Sequence, residues 1–139
     1  MIGLVNFNSK FGDLMSFPFG DGELQSVSCM HVVEHVGLGR YGDSQDYDGD
    51  VKAIAELKRI VKSGGDLLLV VPVGAPEIVF NAHRIYSYAQ MLGNFEGFEP
   101  KEFSLITDFG SPEGMVENAP PGLVCQQEYG CSCFWFRKS

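Results

Sequence analysis

An α/β domain built round a parallel pair of strands is what this sequence predicts, on three observations. The segment LLLVVPV (residues 67–73) is an unbroken apolar run rich in β-branched residues, the pattern of a strand covered on both faces inside a parallel sheet. A helical repeat precedes it: Val51, Ile54, Leu57 and Val61 recur at spacings of three and four and share one face. Residues 24–30 form a strand-like run ahead of that helix. Strand, helix and buried strand make a βαβ unit, whose crossover is right-handed.

The elements follow in order. Residues 2–7 are a short apolar run with strand character. Gly12-Asp13-Leu14 and Ser16-Phe17-Pro18-Phe19 are turn-rich, and Gly20-Asp21-Gly22 closes them before the strand at 24–30. Asp50 suits the N-cap of a helix over 51–62, Lys58, Arg59 and Lys62 complement the end of its dipole, and Gly64-Gly65 stops it. Ser87-Tyr88-Ala89-Gln90 is a capping box that opens a second helix, ending near Gly93-Asn94. Residues 103–108 read as a strand, 110–122 as a long loop with three prolines, and 132–137 as a closing aromatic strand in an antiparallel hairpin.

Bulk properties narrow the function. The chain has 139 residues, which is one domain (1–139). With 45% hydrophobic and 20% charged residues it has the composition of a folded protein. A net charge of -8 argues against nonspecific nucleic-acid binding and against anionic membrane surfaces. No stretch has the length of a membrane span and no signal peptide is evident, so the expectation is a cytoplasmic protein. The 4 cysteines include the pair Cys131 and Cys133, which share a face if their segment is a strand. They read as reduced packing thiols or, with a distant histidine, as zinc ligands.

Two of the 3 histidines fall in HVVEHVGLGRYGD (31–43). As HxxEH, His31 and His35 on a helix would chelate zinc with Glu34 as general base, yet Gly37, Gly39 and Gly42 break any helix at once. At the end of a parallel strand, where α/β sheets collect ligands, either imidazole could instead take a proton from an acceptor hydroxyl. A third reading is that these polar groups pin the glycine-rich loop. Asp43, Asp46, Asp48 and Asp50 resemble a calcium loop, but the glycine is out of phase and Ile54 stands where the last ligand should be, so a solvated loop with a helix cap accounts for them. Arg84 could grip a carboxylate or phosphate, or pair with the acidic loop.

The strings GDLMSFPFGDGELQSVSCMHVVEHV, ELKRIVKSGGDLLLVVPV and AHRIYSYAQMLGNFEGF together resemble class I S-adenosylmethionine-dependent methyltransferases. HVVEHVGLGRYGD and FNAHRIY are more closely similar to a methyltransferase-like family, domain of unknown function 268. The resemblance implies a partial Rossmann-like class I methyltransferase sheet, strands 3/4 to 7 of the usual seven in the order 3-2-1-4-5-7-6, with flanking helices. The strand, glycine-rich loop and helix that open such enzymes have no counterpart before Asp13, and Gln25 stands where many relatives carry an aspartate. The implied chain therefore lacks the N-terminal cofactor-binding half and does not hold the cofactor fully by itself.

The resemblance further implies methyl transfer from S-adenosylmethionine to a small acceptor, a sugar-linked one among the possibilities. It assigns His31, Glu34 and His35 to catalysis, Asp13 and Leu14 to the cofactor, and Arg40, Tyr41, Asn81, His83 and Arg84 to the acceptor. His31, His35, His83 and Arg84 are expected to converge on one pocket. The alternatives are a non-catalytic remnant or association subunit and, third, a zinc hydrolase. With strands 1 and 2 absent, the strand at 24–30 becomes a sheet edge, covered by residues 2–7 or by a second copy in a homodimer.

Overall fold

The parallel pair forms as expected. A computed structural model describes residues 8–108 and 114–139, so the strand expected at residues 2–7 lies outside the described residues. Strand β1 (Leu24–Met30) runs parallel to β2 (Val61–Val73), and helix α1 (Gly49–Ile60) makes the crossover. A small hairpin of β3 (Glu77–Val79) and β4 (His83–Ile85) follows, then α2 (Tyr88–Asn94), β5 (Phe98–Ile106), β6 (Met115–Glu117), α3 (Pro121–Val124) and β7 (Gly130–Lys138). The main sheet has the order β1-β2-β7-β5-β6, with β7 antiparallel to both β2 and β5. Its first four strands reproduce the 4-5-7-6 order of the class I sheet, and β1 is the edge strand of the described sheet.

Helix α1 differs from expectation in phase. Asp48, not Asp50, is its N-cap residue, and Asp50 is buried in the first turn. Because Asp50 faces inward, the buried stripe runs through Ala53, Ile54, Leu57 and Ile60, and Val51 is 49% exposed. Nor do the two glycines end the helix. It stops at Ile60 and passes straight into β2, where residues 62–65 form a bulge opposite β1: Leu24 pairs with Val61, but Ser26 pairs with Asp66. Gly65 is required there, since a Cβ on it would lie 2.7 Å from the Gln25 carbonyl oxygen. The freed end of α1 is closed from the far end of the chain, where the Lys138 Nζ donates to the carbonyls of Lys58 and Val61, each at 2.7 Å.

The core lies on one side of the sheet. Leu67, Leu69, Val71 and Val73 of β2 line up with Phe134 and Phe136 of β7 and with Phe103 and Leu105 of β5, and α1 and α2 close over them. Phe95 stacks on Phe136 at 4.5 Å between ring centres. The other face is thinner than an all-buried strand requires: Leu68 is 40% and Met30 60% exposed. The apolar run of β2 is thus covered fully on one face only.

Three further boundaries differ. β5 begins at Phe98 rather than at 103, because its charged start pairs with β7 through a bulge at Pro100–Glu102. β7 extends one or two residues past each end of 132–137. The expected loop at 110–122 carries strand β6 and the start of helix α3, which is led by Pro120 and Pro121. The capping box of α2 forms as read, with the Gln90 amide donating to Ser87 Oγ and the Ser87 amide donating to Gln90 Oε1. No described helix is long and apolar enough to cross a membrane.

Gly65→Ala is expected to cost about 1–3 kcal/mol through overpacking against β1. A lower urea midpoint with an unchanged slope is the checking measurement.

Candidate functional site

The polar rim is built where β1 and β2 end side by side. The His31 amide donates to the Val70 carbonyl at 2.9 Å, so the pairing runs one residue past β1 and delivers His31 to the carboxyl end of the sheet. There the chain turns sharply. His31 has φ 51°, a left-handed conformation uncommon for a side chain other than glycine or asparagine. Residues 33–35 form one turn of 3-10 helix, which swings Glu34 inward and His35 back over the rim. The helix that a zinc HxxEH motif needs is therefore not formed by these five residues.

Glu34 is the hub. Its side chain is fully buried, with Oε1 3.1 Å from His31 Nδ1 and 3.7 Å from His35 Nε2, and with Oε2 lacking any partner. A buried carboxylate is costly to leave half-satisfied, so this geometry favours His31 Nδ1–H as the donor toward it. His35 Nδ1 meets the Ala82 carbonyl at 2.6 Å, which makes Nδ1–H the donor. Tyr41 sets its ring edge-on to His35 at 5.7 Å, and Arg40 reaches the same Ala82 carbonyl at 3.3 Å.

The glycine loop is held rigidly by backbone contacts. Gly37 has φ 79° and sits against the Asp46 carbonyl, leaving no room for a Cβ. Its amide donates to Asp43 Oδ2 at 2.7 Å, and its carbonyl accepts from the Asp46 amide at 2.9 Å. Partial burial alone would raise the Asp43 carboxyl. The amides of Gly37 and Tyr41 outweigh that and hold it below the ordinary range.

Arg84 belongs to this scaffold. It is 4% exposed, and its guanidinium donates to the carbonyls of Val36 (2.6 Å), Tyr47 (3.0 Å) and Asp46 (3.4 Å) while facing Asp50 at 3.4 Å. Asp50 also accepts from the Tyr86 hydroxyl at 2.9 Å. Burial, with the Asp50 charge, pushes the Tyr86 phenol up, so it remains a donor. The structure spends Arg84 on the loop rather than presenting it to solvent.

One cavity of about 890 Å³ brings together Asp13, Leu14, His31, His35 and Tyr41, with Met15 and Val32 as apolar wall. Its outer wall, residues 12–15, is tied down through the next segment: Arg59 of α1 holds Glu56, Asp21 and the carbonyls of Phe17 and Phe19. The expected convergence is therefore partial. His83 and Arg84 do not line this cavity. His83 stays on the same rim, edge-on to Tyr129 at 4.9 Å, because β4 begins beside the Ala82 carbonyl that His35 uses. Arg84 backs a separate hollow of about 380 Å³ with Tyr47, Asp50 and Tyr86. Asn81 is exposed at φ 56° in the β3–β4 turn, a conformation asparagine tolerates.

Two contacts go beyond the sequence reading. Arg84 does pair with the acidic loop, one of its two expected roles, but the Tyr86 hydroxyl that joins it at Asp50 was not foreseen. The other is Cys131, whose Sγ lies 3.5 Å from His31 Nε2. The central placement of β7 brings the two side chains together.

For an S-adenosylmethionine cofactor the described residues fit one end. Leu14, Met15 and Val32 offer apolar surface beside the Asp13 carboxylate, although Asp13 Oδ1 already accepts from the Met15 amide at 2.8 Å. The strand–glycine loop–helix unit expected to hold the amino-acid end is not among the described elements.

Comparisons with known proteins agree with this architecture. A family model described as "Caenorhabditis protein of unknown function, DUF268" matches residues 5–109. Among curated proteins no sequence matches significantly. Similar solved structures include a Thermotoga maritima S-adenosylmethionine-dependent methyltransferase, described as a possible histamine N-methyltransferase (TM-score 0.60, 16% identity, covering 92% of this chain and 62% of that one). The 4+2 cyclase SpnF gives 0.59 at 20% identity, covering 93% and 54%. The Burkholderia thailandensis 1,6-didemethyltoxoflavin-N1-methyltransferase, solved with S-adenosylhomocysteine, gives 0.59 at 10% identity, covering 91% and 48%. The chain thus spans between about half and three-fifths of the length of these structures.

Arg84→Met is expected to destabilise the fold by about 3–5 kcal/mol, since it leaves the buried Asp50 carboxylate without its counter-charge and removes the donors to the Val36 and Tyr47 carbonyls. Chemical denaturation compared with wild type measures it.

Proposed function

Starting from the fact that the chain belongs to the DUF268 family, we propose that it is an S-adenosylmethionine-dependent methyltransferase-like domain whose acceptor side is the His31–Glu34–His35 rim. The observation that carries this reading is the shared cavity. Asp13 and Leu14, the residues that the resemblance gives to the cofactor, line the same space as the two imidazoles. In this reading Asp13, Leu14 and Val32 bind the adenine end, and His35, with its Nδ1 engaged by Ala82, or His31 takes the acceptor proton through a free ring nitrogen. Glu34 orients both rings and balances the charge they gain. Tyr41 and Arg40 flank the acceptor, and Asn81 and His83 bound it further along the rim. The acceptor is a small molecule with an ionisable hydroxyl or amine, with a sugar-linked hydroxyl within that class. The bound cofactor would supply the electrophilic methyl group.

The occurrence of a 4+2 cyclase among the similar structures keeps fold and reaction separate. Titration calorimetry of the purified chain with S-adenosylmethionine is therefore the deciding experiment. Weak, saturable binding lost in Asp13→Ala supports the reading, and no heat at millimolar cofactor overturns autonomous methyl transfer by this chain.

A second reading, an association subunit, is favoured by a different observation. β1 is a described edge, with Met30 and Leu68 exposed on the sheet face beside it. In this reading two copies pair along β1 as a homodimer. Light scattering at micromolar concentration should give twice the chain mass, and the mass of a single chain overturns it.

A further inference from the structure

Cys131 and His31 come from opposite ends of the chain, yet the order of the sheet sets them face to face. Sγ lies 3.5 Å from His31 Nε2, His31 Nδ1 lies 3.1 Å from Glu34 Oε1, and Glu34 is fully buried with Oε2 unpartnered. The three contacts have one self-consistent polarity. A carboxylate only accepts, so His31 presents Nδ1–H to Glu34. Nε2 is then the lone-pair nitrogen, and the Cys131 S–H is left to donate to it. Nucleophile, base and a third group that fixes the base is the arrangement of covalent catalysis. The strained φ of 51° at His31 is the kind of backbone cost that persists where a side chain must be aimed.

We propose that Cys131 is a nucleophile activated by His31 and positioned through Glu34, and that it accepts acyl groups from thioesters or activated esters. Burial, with Cys133 and the Glu34 charge nearby, pushes the Cys131 thiol up, and Tyr129 adds a further ionisable neighbour at the head of β7. The resting group is therefore a thiol that needs a base, not a preformed thiolate. This suits addition to a carbonyl. As the sulfur bonds to the acyl carbon its proton passes to His31 Nε2. The carbon–sulfur or carbon–oxygen bond to the leaving group then breaks, and His31 returns the proton to the departing thiol or alcohol. Cys131 ends as a thioester, with no oxidant or metal involved.

The other thiols supply controls. Cys29 is buried and its thiol is pushed up to about 11, and Cys125 is exposed; Cys133, hydrogen-bonded to Cys131, is not independent of it. The proposal does not rest on the methyl-transfer reading: it uses no cofactor, and although it shares His31 and Glu34 with that rim, it leaves His35 to the cavity.

The test incubates the full chain with an acetyl thioester and follows acetylation of each cysteine by peptide mass spectrometry. Cys131 should acetylate at least about tenfold faster than Cys125 near neutral pH. His31→Asn, chosen because asparagine accepts positive φ, should bring Cys131 down to the Cys125 rate and leave Cys125 unchanged. Glu34→Gln should flatten the neutral-pH part of the Cys131 rate profile, a change that mere loosening would not produce. Equal rates at Cys131 and Cys125 overturn the proposal, as does a folded His31→Asn protein with undiminished Cys131 acetylation. Should that variant not fold, the wild-type profile decides alone: a rate that rises only in or above the ordinary thiol range overturns it.

Discussion

The buried guanidinium of Arg84 is the joint on which the rim depends. It arrives on β4, collects carbonyl oxygens from both ends of the glycine loop and meets Asp50 at the start of α1. Those carbonyls have no helix or sheet partners of their own, and a buried peptide oxygen left bare is expensive. One planar cation therefore does for an irregular loop what a ladder of hydrogen bonds does for a strand. The loop in turn packs beside Glu34 and His35, so the geometry of the imidazoles rests on a group that touches neither.

The regular parts of the fold were legible because they obey period and capping rules. LLLVVPV announced a central strand, Ser87 and Gln90 announced a helix start, and the turn at Gly20-Asp21-Gly22 announced β1. What misled was the double role of certain residues. Gly64-Gly65 carries the composition of a helix stop and serves as a bulge, because the close approach of Gln25 is a tertiary fact. Asp50 has the chemistry of a cap but is drawn inward by Arg84 and Tyr86, shifting the buried stripe away from Val51. The site divided in the same way. The clustering of His31, Glu34 and His35 is local and could be read. The separation of His83 and Arg84 from their cavity, and the arrival of Cys131, depend on how β4 and β7 are threaded.

Glu34 gives the rim its electrostatic character. A buried acid with one oxygen unmatched stores a demand for a positive or proton-donating neighbour, and the two imidazoles are placed to meet it in turn. Both rings face the same buried oxygen, so the placing of one constrains the other. That property serves either chemistry at this rim, proton removal from an acceptor or from a thiol.

β7 is the last strand in sequence and sits in the middle of the sheet. During synthesis on the ribosome, β1 and β2 can pair as soon as they emerge, but β5 has no seat until β7 has been made to hold it. The open side of β2 meanwhile offers bare backbone and apolar surface to its surroundings or to a chaperone. A nascent chain of this topology therefore cannot complete its sheet until β7 has emerged, and only then can Lys138 close the end of α1.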